Sequence, residues 1–168
     1  MVSDETSVRL GLPLLQTGQA QKEWSHNEAL TLLDFAVQPV VEAVGVDTPP
    51  AAPVRGACWV VGAVPSGAWT GQAGALAGWT DGGWRFIAAR EGMAAWSSAD
   101  VAIARFSSGS WTVGELRGTR LVLAGAAVVG ARQAAIATPV GGSAIDTEAR
   151  AAIAAVLVAL RTHGLIAT

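Results

Sequence analysis

The chain has 168 residues, enough for one domain that buries its own core, with at most a short terminal arm. Charged residues make up only 14%, against about 25% in an ordinary soluble domain, and the mean hydropathy is +0.41, so part of the exterior is expected to be covered by other copies or by a partner. A net charge of −2, a single lysine (Lys22) and scattered arginines leave no basic stripe to track a phosphate backbone, which excludes nucleic acid as an expected partner.

In chain order, Met1-Val2-Ser3-Asp4-Glu5 is acidic and is followed by no hydrophobic stretch, so no signal peptide is expected and synthesis in the cytosol is. Val8-Arg9-Leu10-Gly11-Leu12-Pro13-Leu14 alternates apolar with small or polar residues, and Pro13 makes it an extended arm or edge strand. Ser25-His26-Asn27-Glu28 reads as a capping box, with Leu30, Leu33 and Val37 on one face of the helix behind it and Pro39 ending it.

From about Val40 the pattern turns to short strands broken by glycine. Thr48-Pro49-Pro50-Ala51-Ala52-Pro53 is a stiff connector, and residues 57–61 form a buried strand. Residues 75–80 and 84–88 flank Asp81-Gly82-Gly83, a strong hairpin signal, with further strands at 101–106 and 120–123. At the C-terminus, Asp146 is an N-cap, Ala149, Ile153, Val156 and Leu160 make a helical stripe widened by Ala152 and Leu157, and Gly164 is the C-cap signal. The fold class is therefore α+β: an N-terminal arm and helix (1–45), a central antiparallel β meander, small sandwich or barrel rich in Trp and Gly (46–140), and an amphipathic C-terminal helix for docking or oligomerisation (141–168).

No stretch reads as a membrane span. Residues 56–80 are uncharged but broken by Pro65 and glycines, and the apolar runs at 121–131 and 151–160 fall short of the ~20 residues a span needs. The lone Cys58 excludes an internal disulfide and a cysteine-rich metal site, and is expected to be a buried small hydrophobe. No cofactor or metal is expected.

An enzyme is not expected either. His26 and His163 lie near opposite ends of the sequence, no nucleophile elbow, zinc-protease helix or phosphate-binding loop is present, and the carboxylates are few. Glu91, Asp100 and Glu115 are the residues from which a glycosidase pair would have to come. The aromatic set says more. There are seven tryptophans and no tyrosine, and a turn at Asp81-Gly82 sets Trp79 opposite Trp84 across a hairpin. Paired indoles suit the apolar faces of sugar rings, with Arg85, Arg90 or Asp81 to bond hydroxyls; the competing reading is core or subunit interface. Trp69 and Trp96, flanked by small residues, are further ligand candidates, whereas Trp59 reads as core.

Leu10-Gly11-Leu12-Pro13-Leu14-Leu15, Gly18-Gln19-Ala20-Gln21-Lys22-Glu23 and His26-Asn27-Glu28-Ala29-Leu30 resemble a domain family of unknown function found in prophages and gene transfer agents of alphaproteobacteria. The likeness continues through Gly67-Ala68-Trp69, Gly71, Trp79, Gly83-Trp84 and Arg90-Glu91-Gly92, over roughly the first hundred residues, and the C-terminal residues from Ile145 to Ile166 look like the end of similar particle proteins. The resemblance implies a virion component: a head spike or fibre subunit that aids attachment to host surface polysaccharide. The expected partners are further copies of the chain, other virion proteins and host capsular polysaccharide. The residues expected to dock are Leu10, Leu12 and Leu14 in the arm and Ile153, Val156, Leu157 and Leu160 in the last helix. A carbohydrate-binding module, an adaptor that only anchors a separate receptor-binding protein, and a glycan-cleaving enzyme are the competing expectations.

Overall fold

The computed structural model describes residues 6–15, 18, 22–143 and 146–168; the roles read for Gln19 and Gln21 fall outside them. The architecture is α+β, with sheets that stay open rather than closing into a barrel. Two compact units divide the chain, Met1–Leu116 and Arg117–Thr168.

The first unit begins with a loop and a helix. The loop is not an extended arm: Thr6 pairs back with Pro13, and the Ser7 amide donates to the Leu12 carbonyl. Asp34 causes the fold-back. Its carboxylate is buried and accepts from the Ser7 hydroxyl at 2.7 Å, the Arg9 amide at 2.9 Å and the Leu10 amide at 2.6 Å. The Arg9 guanidinium in turn donates to the carbonyls of Asp34 and Gln38, past the helix end. Buried donors and acceptors are thereby paired, which is what a buried charge requires.

Helix α1 spans Lys22–Ala36. Its start overturns the capping box, because Ser25 lies inside the helix rather than before it. Asn27 holds the incoming chain instead, bonding the amide and carbonyl of Leu15 at 2.9 and 3.0 Å, and Glu28 reaches across to Arg85. Four-residue patterning cannot distinguish a cap from the same residues one turn inside.

The chain then makes β1 (Val40–Val41) and β2 (Val44–Val46), β3 (Cys58–Val61), β4 (Leu76–Thr80), β5 (Gly83–Ile87), β6 (Ala94–Ser97), β7 (Ala102–Ser107) and β8 (Ser110–Val113). They form two four-stranded sheets, β2-β3-β4-β5 and β1-β6-β7-β8. The short β1–β2 stretch switches between sheets, pairing in parallel with β6 and then with β3; every other ladder in them is antiparallel.

The two sheets are versions of one unit. In each, a glycine with left-handed backbone precedes the first long strand, Gly56 (φ 84°) and Gly92 (φ 83°). Each glycine amide donates to an aromatic residue's carbonyl, Trp79 in one and Phe106 in the other. The two hairpins carry aromatic pairs at the same register, Trp79 opposite Trp84 and Phe106 opposite Trp111, with ring centroids 4.9 and 5.6 Å apart. Even the tie from the preceding turn to the hairpin tip recurs, as the Arg55–Asp81 ion pair and as Glu91 accepting from Ser107 and Ser108.

The main core lies where one sheet covers the other. Cys58, Val60 and Leu76 of the first sheet cluster with Val41 and Ala95 of the second, and Phe35 of α1 closes the side. Gly78 has no side chain because the Phe35 ring sits 2.6 Å from where a Cβ would stand.

The second unit holds β9 (Leu121–Leu123), β10 (Ala126–Val129) and α2 (Thr147–Thr162). The cap expectations hold: Asp146 accepts from the Ala149 amide at 2.8 Å, and Gly164 follows with φ 69°. Little apolar surface is buried here. Leu157 and Ile166 are the buried hydrophobics among the described residues, and every residue of the β9–β10 hairpin is exposed. Arginine side chains tie loop carbonyls instead: Arg132 to Ile166, Arg161 to Ile136, and Arg150 to Pro139 and Gly141.

Candidate functional site

Alternation along the first sheet divides its side chains cleanly. Cys58, Val60, Leu76, Gly78, Arg85 and Ile87 share the inner face, so Trp59, Val61, Ala77, Trp79, Trp84 and Phe86 share the outer one. The 3-10 turn at Gly67–Trp69 drops Trp69 onto this outer face. The indoles then pack on one another: Trp69 to Trp84 at 5.0 Å, Trp59 to Trp84 at 5.6 Å and Trp59 to Trp69 at 6.2 Å, all tilted or edge-to-face. This is a second small core with Trp69 at its centre.

Three ligand expectations change as a result. Trp69 is fully buried and cannot stack on a ligand; a Gly/Ser-flanked position reads as a loop but does not reveal that the loop folds over a sheet. Arg85 lies on the opposite face from Trp84, where it pairs with Glu28 at 2.7 Å. Asp81 sits at the hairpin tip, 3.2 Å from Arg55. Trp79 and Trp84 do face each other across the hairpin, and both are half-buried. Trp96 belongs to the other sheet and is exposed there.

A cleft of about 620 Å³ lies on this unit where the sequence reading placed no site. Its walls include Val44, Gly71, Gln72 and Ala89, with Phe106 and Trp111 of the β7–β8 hairpin. The Trp111 indole N–H donates to the Gly74 carbonyl at 2.8 Å, which fixes the ring. Among the described residues no ionisable side chain lines the cleft, so its chemistry is aromatic surface, amide, hydroxyl and backbone groups. The signal for it was the Phe106-to-Trp111 spacing about a Ser-Ser-Gly-Ser turn, the same register as Trp79 and Trp84.

Elsewhere the chemistry is sparse. Among the described residues no group of three His, Cys, Asp or Glu is placed to hold a metal ion. Glu91 is engaged with the β7–β8 turn, and Asp100 accepts from the Ser97 hydroxyl at 2.5 Å. Burial pushes the Cys58 thiol up to about 11, with Glu42 and Asp34 adding to the rise and Arg9 opposing it. Such a thiol is inert at neutral pH.

The docking candidates separate by exposure. Leu10 is exposed, and Leu12 and Leu14 are half-buried. On α2, Ile153 and Val156 are exposed and Leu160 is partly covered. Leu157 is buried and offers no exposed surface for docking. The covered side of the helix runs through Arg150, Ala154, Leu157 and Arg161, offset from the apolar stripe because arginines, not only apolar groups, anchor the helix.

Residues 26–112 match the family described as Protein of unknown function (DUF2793), more than half of the chain. The chain belongs to that family. The DUF2793 segment starts within α1 and ends within β8, so it takes in both sheets and the cleft. No curated protein matches the chain. No helix of the described residues is long and apolar enough to cross a membrane.

Proposed function

We propose that this DUF2793 chain is a non-enzymatic structural component of a phage-like particle, a head spike or fibre subunit that aids attachment to host surface polysaccharide. The observation that carries the assembly role is the apolar surface of the second unit. Leu121, Val122, Leu123, Val128 and Val129 on the hairpin and Ile153, Val156 and Val158 on α2 are all exposed. A soluble monomer rarely leaves so much apolar surface to water, whereas a subunit covers it with further copies or other virion proteins. The likeness of the N-terminal motif to prophage and gene transfer agent proteins supplies the particle.

The test is to remove the chain from a particle-producing bacterium and purify the particles. Wild-type particles should contain the chain on their exterior by antibody labelling, and particles without it should adsorb less to capsulated cells. Absence of the chain from purified particles would sink the reading. Normal adsorption without it would leave the adaptor and receptor roles unsupported.

A carbohydrate-binding role in its own right has one observation in its favour, the uncharged cleft with Phe106, Trp111, Gln72 and Ser110 on its walls. Capsular oligosaccharide should then perturb the amide resonances of Gln72 and Ser110; unchanged spectra with saturating sugar would remove this role.

A further inference from the structure

The charge around the cleft limits what it can hold. Its described walls carry no ionisable side chain, and carboxylates border it at two places. Asp47 lies against the wall residue Gly62 and accepts from the Val64 amide at 2.9 Å. Glu91 accepts from the Ser107 hydroxyl at 2.8 Å and the Ser108 amide at 2.9 Å, beside the wall residue Gly109. Arg90 follows the wall residue Ala89 in the chain but is exposed and forms no part of the wall.

Much of the wall is peptide backbone: a Cβ built at Gly45, Gly71, Gly74 or Gly109 would meet nothing within 4 Å. The Gln72 amide, the Ser110 hydroxyl and the rings of Phe106 and Trp111 complete its chemistry. Because the Trp111 N–H is committed to the Gly74 carbonyl, that ring offers apolar carbon rather than a donor. Amide and hydroxyl groups both donate and accept. A pure hydrocarbon ligand would leave them unpaired, and an anionic one would lose water without meeting a cation. A neutral sugar avoids both costs, with an apolar C–H face for the aromatic carbon and hydroxyls that donate and accept. The volume of about 620 Å³ falls in the range of about 300–1,000 Å³ usual for small-ligand sites.

We propose that the cleft takes a neutral saccharide and discriminates against uronates and other acidic sugars. The inference rests on the carbohydrate-binding reading above and deepens it by naming the class of sugar. A uronate differs from its parent hexose in carrying a carboxylate where the hexose has a hydroxymethyl group. The preference therefore comes from charge rather than ring shape: no wall cation receives the carboxylate, and Asp47 and Glu91 oppose it. Gln72, which supplies the side-chain amide of the wall, is the specificity residue.

The full-length chain tests it by titration of the Gln72, Gly74 and Ser110 amide resonances with tetrasaccharides of glucose, galactose and mannose and with their uronate counterparts. At least one neutral tetrasaccharide should bind about tenfold more tightly than its uronate counterpart. Gln72→Lys adds a cation to the wall and should narrow or reverse that difference. If Gln72→Lys does not fold, Ser110→Lys, at an exposed position, replaces it. Uronates that bind as tightly as neutral sugars overturn the inference and leave the carbohydrate-binding reading standing. A neutral preference that neither lysine variant alters overturns charge as its cause. No response to any of the sugars, including a response to indole alone, overturns the inference and the carbohydrate-binding reading together. The particle reading survives each of these failures, because it fails only on particle composition and adsorption.

Discussion

The two units differ in what holds them. Met1–Leu116 carries two apolar clusters, an aromatic core and a buried, fully bonded Asp34. Arg117–Thr168 carries Leu157, Ile166 and a set of arginine-to-carbonyl bonds, with its apolar residues mostly turned to solvent. Folding a short segment costs about 1–2 kcal/mol of backbone entropy per residue, which two buried side chains do not offset. The first unit therefore has the larger core, while the second leaves most of the apolar residues of its hairpin and helix exposed.

Changes in the first unit should be costly and confined to it. Trp69→Ala empties the centre of the aromatic cluster and should remove about 3–5 kcal/mol, read by denaturant unfolding, without altering amide exchange in α2. An equal loss of protection in α2 would break the contrast between the units. Asp34→Ala strands the amides of Arg9 and Leu10 and the Ser7 hydroxyl. A loss of about 3 kcal/mol is expected, with the 6–13 loop exchanging first.

Cys58 gives a pH signature of the same core. Its thiol keeps its proton in the folded state up to about 11, against an ordinary value of 9.0 for the unfolded chain. The folded state thus binds more protons between those values. Stability should be unaffected below pH 9, fall by about 1.4 kcal/mol per pH unit above it, and level off past pH 11. Cys58→Ala should lack this component of the slope; an identical slope in that variant would show that the thiol is not responsible. The smallest effect is expected in the second unit. Val156→Ser lies on the open side of α2 and should change the stability of the isolated chain by less than about 0.5 kcal/mol. A large loss would mean that the chain's own residues already cover that side.

Short-range signals were the legible ones. The Asp81-Gly82 hairpin, the Trp79–Trp84 pairing, the Asp146 cap and the Gly164 stop each depend on a few neighbouring residues, and each is present. The failures all involve distant partners. Ser25 looked like a cap until Asn27 and Glu28 met Leu15 and Arg85, and the loop at 6–13 looked extended until Asp34 gathered its amides. The candidate ligand set divided for the same reason. Strand alternation places Trp84 and Arg85 on opposite faces, but only the fold reveals that Trp69 lands on the first of these and α1 on the second.

By itself, then, the sequence determined the α+β class, the Trp79–Trp84 hairpin register, the caps of α2 and the shortage of charge, because these follow from local propensity, alternation and composition. Tertiary structure alone decided that the middle is one layer built twice, with Val60 and Leu76 of the first sheet buried and Trp96 and Ile103 of the second exposed. Few side chains are shared between the layers beyond the left-handed glycines and the hairpin aromatics. Which face of a sheet is covered is set by what packs on it, and no short-range pattern along the strand encodes that.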